Sequence, residues 1–219
     1  MFDFQSSDAG STLQAASATG HFNATPRRRL SKIIFDDVLA ILLLLPLTLV
    51  GLVLLLLNPL LNPGKLVYRQ TRMGQGCQPF TAYKFRTMSA AEGPARGAFD
   101  RVEDARISGF ARVLRKMRID ELPQIINVLR GEMSLIGPRP DLYEHAQVYL
   151  ESVPGYAERH RAMPGITGYA QVTVGYVEEV EGVARKVAAD HHYIGHASFA
   201  LDLWIAWRTI GVIILRRGC

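Results

Sequence analysis

The chain has 219 residues and a formal net charge of +5, with 48% hydrophobic and 21% charged residues. That length accommodates one domain with its own core, and the basic balance suits an anionic partner (nucleic acid, acidic membrane or phosphorylated small molecule) without choosing among them. Cys77 and Cys219 are the only cysteines; neither has a partner at metal-ligand spacing, which argues against a zinc site or structural disulfide and favours a reducing compartment.

Residues 1–26 are rich in Ser, Ala, Thr and Gly without sustained periodicity and read as a disordered tail. A cleaved signal peptide fits poorly, because the basic cluster Arg27–Arg29 comes late and no small-residue cleavage site follows the apolar run. Residues 27–60 form the membrane segment. Its run from Val38 to Leu57 contains no charge, and twenty helical residues cover about 30 Å, the hydrocarbon thickness of a bilayer. Pro46 cannot donate to the Leu42 carbonyl, so a kink is expected there. Basic residues flank both ends: Arg27, Arg28, Arg29 and Lys32 before, Lys65, Arg69 and Arg72 after. Such flanks prefer the cytoplasmic side, which favours a broken hairpin that dips into the bilayer and returns by Asn58. A straight spanning helix and a buried core helix are the alternatives.

Residues 61–197 read as a cytoplasmic catalytic domain. "LVYRQ" and "FTAYKFRTM" predict two short strands joined at "GQG". Ala90–Phe99 reads as a mobile loop. "RISGFARVLRKMR" predicts a helix with Phe110, Leu114 and Met117 on one side and a basic stripe of Arg112, Arg115 and Arg118. "ELPQIINVLRG" predicts a second short helix, capped by Asp120, tolerant of Pro123 in its first turn and ended by Gly131. "SLIGPRPD" is expected to be irregular, its two prolines holding Arg139 in a rigid loop. Tyr143–Arg161 is a helical pattern broken at "VPG", "MPGITGYAQV" a glycine-punctuated loop entering a strand, and Glu179–Ile194 a helix ending near His192. Residues 198–219 carry Asp202 and Arg208, which disfavour spanning. With Trp204 and Trp207 they suit an amphipathic interfacial helix, or else a terminal helix packed on the core.

Asp120 and Glu121 are adjacent, so their side chains diverge by about 100° on a helix, yet both can reach one small volume. One could attack or take a proton while the other holds a divalent ion; ordinary capping would give the same dipeptide. Nearby arginines favour phosphate, because the guanidinium fork is planar and bidentate, although a solvated or lipid-facing stripe explains Arg112, Arg115 or Arg118 equally well. "YKFRTM" is faintly like an RNA-binding strand but lacks the fuller signature, so nucleic acid is not expected. His160, His191, His192 and His196 match no metal motif.

Together, "YRQTRMG", "FTAYKFRTM", "DARISGFARVLRKMRIDELPQIINVLRGEMSLIGPRP" and "PGITGYAQV" resemble the bacterial sugar transferases, the monotopic polyprenyl-phosphate phosphoglycosyl transferases, over about Arg29–Leu215. The resemblance implies an α+β monotopic membrane protein with a re-entrant helix kinked at Pro46, a small helix-and-hairpin catalytic domain and C-terminal interfacial helices. It implies transfer of a sugar-1-phosphate from a UDP-sugar to polyprenyl phosphate on the cytoplasmic face of the bacterial inner membrane, as an early step of exopolysaccharide or related glycan synthesis. It places the nucleophile at Asp120 and a Mg²⁺-binding carboxylate at Glu121. It puts Arg139 at the active site, where phosphate or nucleotide is its expected ligand. Lys84, Arg86, Asp104 and Arg106 are weaker substrate-binding candidates, with internal ion pairing as their alternative role. An anionic bilayer is an expected partner and a homo-oligomer is possible. Leu45 stands where many members have serine before the kink proline, "NPGK" replaces "SPGP", and Thr173–Gly182 replaces a "GRN" stretch. A non-catalytic membrane scaffold and a nucleotide-sugar hydrolase are the competing functions.

Overall fold

Leucine favours helix, and nothing in the apolar run opposes one except Pro46. In the computed structural model, which describes residues 30–89, 97–100, 104–175 and 180–214, this run lies within a 32-residue helix, α1 (Leu30–Leu61), that stays helical on both sides of Pro46. The chain stays helical through Pro46 and Pro59, and its 32 residues amount to about 48 Å of helical rise at 1.5 Å per residue. The helix is long and apolar enough, by length and composition, to cross a membrane. The expected tail, Arg27–Arg29 and most of the expected mobile loop fall outside the described residues.

One stripe of α1 faces the rest of the protein along its whole length. Asp36, Ala40, Leu54 and Asn58 are buried, and Leu43, Leu44, Leu47 and Val50 pack between them against two apolar clusters. The other flank is open, with Leu42, Leu45, Leu49, Leu52, Leu56 and Leu60 all more than half exposed. Polar contacts fix both ends. Asp36 accepts from the Ser134 hydroxyl at 2.7 Å and the Leu135 amide at 3.2 Å. Asn58 donates to the Gly64 carbonyl and Asn62 to the Arg86 carbonyl, at 2.6 and 2.7 Å.

The expected hairpin forms. Strand β1 (Val67–Met73) pairs antiparallel with β2 (Pro79–Phe85), with Tyr68 opposite Lys84 and Arg72 opposite Phe80. The connecting turn has positive φ at Gly76 and also at Cys77. Helix α2 (Gly109–Lys116) begins at Ser108, whose side chain accepts from the Ala111 amide. A 3₁₀ turn (Ile119–Gln124) leads directly into α3 (Ile125–Leu129), and Gly131, at φ 72°, ends it as expected. Strand β3 (Ser134–Ile136) pairs in parallel with β4 (Gly165–Thr167). Helices α4 (Tyr143–Ser152), α5 (Tyr169–Thr173), α6 (Val180–His196) and α7 (Phe199–Ile214) complete the body.

One element differs from expectation. "GITGYAQV" contains its strand first, at Gly165–Thr167, and "YAQVT" is helix. Helix α7 is docked: Asp202 and Ile205 are buried, Asp202 accepts from Tyr193 at 2.8 Å, and Lys32 of α1 pairs with it at 3.1 Å. Its outer side remains apolar, with Phe199, Leu203, Trp204, Trp207 and Ile210 exposed.

Candidate active site

The carboxylate pair does not sit at the start of an α-helix. The residue that caps the 3₁₀ turn is Arg118, in the left-handed region at φ 56°, and the Glu121 amide donates back to its carbonyl at 3.2 Å. Asp120 is inside the turn rather than at its cap. A non-glycine residue held at positive φ costs on the order of 1 kcal/mol. Here the tight reversal takes Arg118 off the surface of α2, so the expected stripe ends at Arg115. Arg118 approaches Glu121 instead, with Nη1 3.6 Å from Oε2.

Both carboxylates are withdrawn from solvent, Asp120 being 7% and Glu121 4% exposed. Their surroundings differ. Glu121 is encircled by cations: Lys84 Nζ lies 3.0 Å from Oε1, and Arg139 makes a two-pronged bond, Nη1 to Oε2 at 2.9 Å and Nη2 to Oε1. Burial alone would raise its pKa, but Arg139 and Lys84, then Arg118, hold it well below the usual carboxylate range. Asp120 has a buried oxygen, Oδ1, with no hydrogen-bond partner among the described residues. Burial, and then the neighbouring Glu121 charge, push its carboxyl up, with Lys84, Arg115 and Arg139 opposing. Two adjacent carboxylates are thus driven in opposite directions, which is a pattern of divided chemical labour.

Lys84 reaches the pair because β1 and β2 place alternate residues on one face: Tyr68, Gln70 and Arg72 lie beside Phe80, Ala82 and Lys84. Desolvation lowers Lys84 to about 8, with repulsion from Arg72 and Arg139 adding to it and Glu121 opposing.

Arg139 is held through its backbone. Arg159 Nη2 donates to its carbonyl at 2.7 Å, and Arg72 Nη1 donates to the Pro140 carbonyl at 2.5 Å. Asp141 accepts from Lys186, Arg159 and Tyr156 at 2.5, 2.6 and 2.8 Å. Burial would raise Asp141, yet Lys186 and Arg159 hold it far below its ordinary value. Arg159, 1% exposed, also donates to Asp190 at 2.8 Å. The loop is seated by direct backbone contact. A Cβ at Gly137 would come within 2.4 Å of the Met163 carbonyl, and one at Gly165 or Gly168 within 2.1 Å of Gly137 backbone atoms. Only glycine fits at these three positions.

Of the residues singled out from the sequence, Asp120, Glu121, Lys84, Arg118 and Arg139 come together, with Arg115 near enough to act on Asp120. Arg112 is exposed on α2. Arg86 braces the chain after α1, donating to the carbonyls of Lys65, Asn62 and Pro63. Arg106 donates to the Ser89 carbonyl at 2.8 Å, and the Asp104 side chain lies outside the described residues. Sequence reasoning missed Arg72, Asp141, Arg159, Lys186 and Asp190 as supports. Strand alternation could have put Arg72 beside Lys84; nothing local pointed to the other four.

Mg²⁺ is usually held by one or two carboxylates together with substrate phosphates and water. The unpartnered Asp120 Oδ1 fits that modest requirement as it stands, and Glu121 would join it once Lys84 and Arg139 turn from its oxygens to the phosphates. Among the described residues no group of three or more acidic, histidine or cysteine side chains could hold an ion by protein alone.

The sequence profile described as bacterial sugar transferase matches residues 27–216. The chain belongs to that family. It is 40% identical over 185 residues to the UDP-N-acetylgalactosamine-undecaprenyl-phosphate N-acetylgalactosaminephosphotransferase of Aeromonas hydrophila, covering 84% of this chain and 43% of that protein. It is 46% identical over 152 residues to a UDP-glucose:undecaprenyl-phosphate glucose-1-phosphate transferase of Caulobacter vibrioides, covering 68% and 57%. It is 36% identical over 191 residues to the exopolysaccharide production protein PSS of Rhizobium leguminosarum bv. phaseoli, covering 84% and 94%. The chain therefore spans about half the length of the first two family members and nearly all of the third.

Proposed function

We propose that the chain transfers a sugar-1-phosphate from a UDP-sugar to polyprenyl phosphate at the cytoplasmic face of the bacterial inner membrane, through a covalent intermediate on Asp120. The observation that carries this reading is the buried, unpartnered Asp120 oxygen beside a Glu121 that is already neutralised by Lys84, Arg118 and Arg139. Such a site offers a free anionic oxygen within a field that attracts phosphate.

Asp120 Oδ attacks the phosphorus joined to the sugar. The bond from that phosphorus to the bridging oxygen breaks, and UMP leaves with the electron pair. An oxygen of polyprenyl phosphate then attacks the same phosphorus, and the Asp120–phosphorus bond breaks to return a carboxylate. The ionised carboxylate attacks without a general base; burial and Glu121 work against that form, and Lys84, Arg115 and Arg139 favour it. Arg139 and Lys84 offset charge on the diphosphate as UMP departs. Mg²⁺, when bound by Glu121 and phosphate oxygens, would supply further charge neutralisation. Within the chain itself, Glu121 keeps Lys84 and Arg139 together until the donor arrives.

The packing of α1 supports a re-entrant placement. Asp36 near one end and Asn62 just beyond the other both bond to the same body, which a helix crossing the bilayer could not allow. Its leucine flank and the exposed face of α7 would then share one membrane surface, as a monotopic protein requires.

The deciding experiment incubates purified protein with a panel of UDP-sugars and no lipid acceptor. Intact mass should register a sugar-phosphate adduct, mapped to Asp120 and absent in Asp120→Asn. Normal turnover by Asp120→Asn would overturn the assignment. Release of free sugar-1-phosphate without acceptor would mark a hydrolase, and no UMP release across the panel would mark a scaffold.

A further inference from the structure

Arg72 is partly buried on the site-facing side of β1, yet none of its hydrogen-bond acceptors is charged. Nε and Nη2 both donate to Gln70 Oε1, at 3.1 and 2.5 Å, and Nη1 donates to the Pro140 carbonyl at 2.5 Å. No carboxylate stands within ion-pair distance of it among the described residues. Desolvation, and next the Arg139 charge, lower its pKa to about 10, only partly offset by Asp141 and Glu121. A guanidinium taken out of water toward another guanidinium, and hydrogen-bonded only to neutral acceptors, is an unfavourable arrangement for the empty protein.

The neighbouring charges explain what would relieve it. Asp141 and Asp190 are matched by Arg159 and Lys186, so that cluster is neutral within itself. Lys84, Arg118 and Arg139 crowd Glu121 and Arg115 acts on Asp120, so four cations face two carboxylates. Arg72 adds a fifth, and this excess of positive charge suits an anionic ligand such as a sugar nucleotide's diphosphate.

We propose that Arg72, aimed by Gln70, is a fixed ligand for the diphosphate of the donor. The inference rests on the UDP-sugar reading given above and adds a binding residue to it. Gln70 takes up one side of the fork and the Pro140 carbonyl the other, so the guanidinium is oriented before the ligand arrives and little side-chain entropy is lost on binding. Arg72 also reports the position of the loop that carries Arg139, since both prongs of the phosphate site are tied to consecutive residues, 139 and 140.

The competing role is a strut that merely pins the Pro140 carbonyl, and the two roles differ in sign. Full-length protein in nanodiscs is titrated calorimetrically with UDP and with uridine, and its melting is followed without ligand. For Arg72→Met the ligand-free melting temperature should be unchanged or higher, because an uncompensated charge has been removed. UDP affinity should fall roughly ten- to hundredfold, in line with loss of a charged hydrogen-bonding partner, while uridine affinity stays the same. Arg72→Lys should recover part of the UDP affinity, and Gln70→Leu should lose a smaller part. An Arg72→Met protein that melts several degrees lower and binds UDP like wild type would overturn the proposal in favour of the strut. If that variant does not fold, undiminished UDP affinity in both Arg72→Lys and Gln70→Leu would overturn it equally. Wild-type protein that forms the Asp120 adduct while Arg72 variants bind UDP normally sinks this inference alone; wild-type protein that neither binds UDP nor forms the adduct sinks the functional reading with it.

Discussion

Lys84 holds its proton only loosely in the folded protein. Its pKa is lowered from 10.5 to about 8, first by desolvation and then by Arg72 and Arg139. Two opposite pH effects follow. Between about pH 8 and 10.5 the unfolded chain binds the proton that the folded chain has released, so this group makes stability rise with pH across that window. Donor affinity should move the other way, because a neutral amine no longer attracts diphosphate. We expect the KM for UDP-sugar to climb above about pH 8, and this dependence to disappear in Lys84→Met, as steady-state profiles of the two proteins would reveal. On the acid side, the raised Asp120 carboxyl should make adduct formation fall at a higher pH than an ordinary aspartate would. Rapid-quench mass measurements from pH 4 to 7 would check this. Arg159 is a different kind of residue. It is 1% exposed and shared between Asp141 and Asp190, so Arg159→Met strands Asp190, leaves Asp141 with Lys186 and Tyr156, and should cost roughly 3–5 kcal/mol in denaturant unfolding.

The elements that were legible in the sequence are those fixed by local pattern. Alternation and "GQG" gave the hairpin, and the charge-free apolar run from Val38 to Leu57 gave the body of α1. Gly131 marked the end of α3. What was not legible depends on partners far along the chain. Glu121 is bonded to Lys84, 37 residues away, and Arg139, 18 away, and the turn that presents it is shaped by those pairs as well as by Arg118. Capping logic, which looks only at the next few amides, therefore put Asp120 in the wrong place. The strand near Gly165 was displaced for a similar reason: it forms where its backbone can touch Gly137, and that contact is tertiary. Gly165→Ala should push this contact apart, since its Cβ would lie 2.1 Å from the Gly137 nitrogen. We expect loss of several kcal/mol or failure to fold, seen by thermal melting, where Gly195→Ala, with open space around it, should be neutral or slightly stabilising. Asp36→Ala leaves the Leu135 amide without its acceptor and should cost about 1–3 kcal/mol, tying the stability of the site's β3 strand to the anchor.

At the scale of the whole molecule, the two flanks of α1 set topology. With both ends on one body, Ser11 and Ser89 should lie on the same side of the membrane. Single cysteines there, with Cys77 and Cys219 replaced, should react with an impermeant thiol reagent only in opened cells; reaction of one alone in intact cells would mean that α1 crosses. The sequence reading assigned the return to Pro46, but the contacts along α1 do more than a kink can. They hold the helix to the domain at Asp36, at Leu54 and at Asn62.

That one-sided seating has a mechanical consequence. On the proposed re-entrant placement, a helix embedded by one leucine flank takes up area in the cytoplasmic leaflet and none in the other. The protein is therefore a wedge, and inserting it does work against the lateral pressure of a single lipid layer. Vesicles whose outer leaflet is loosely packed, through high curvature or unsaturated chains, should take it up more readily than flat, saturated ones of equal charge. Flotation assays across vesicle sizes would register that preference, and equal uptake at every size would argue for a symmetric crossing.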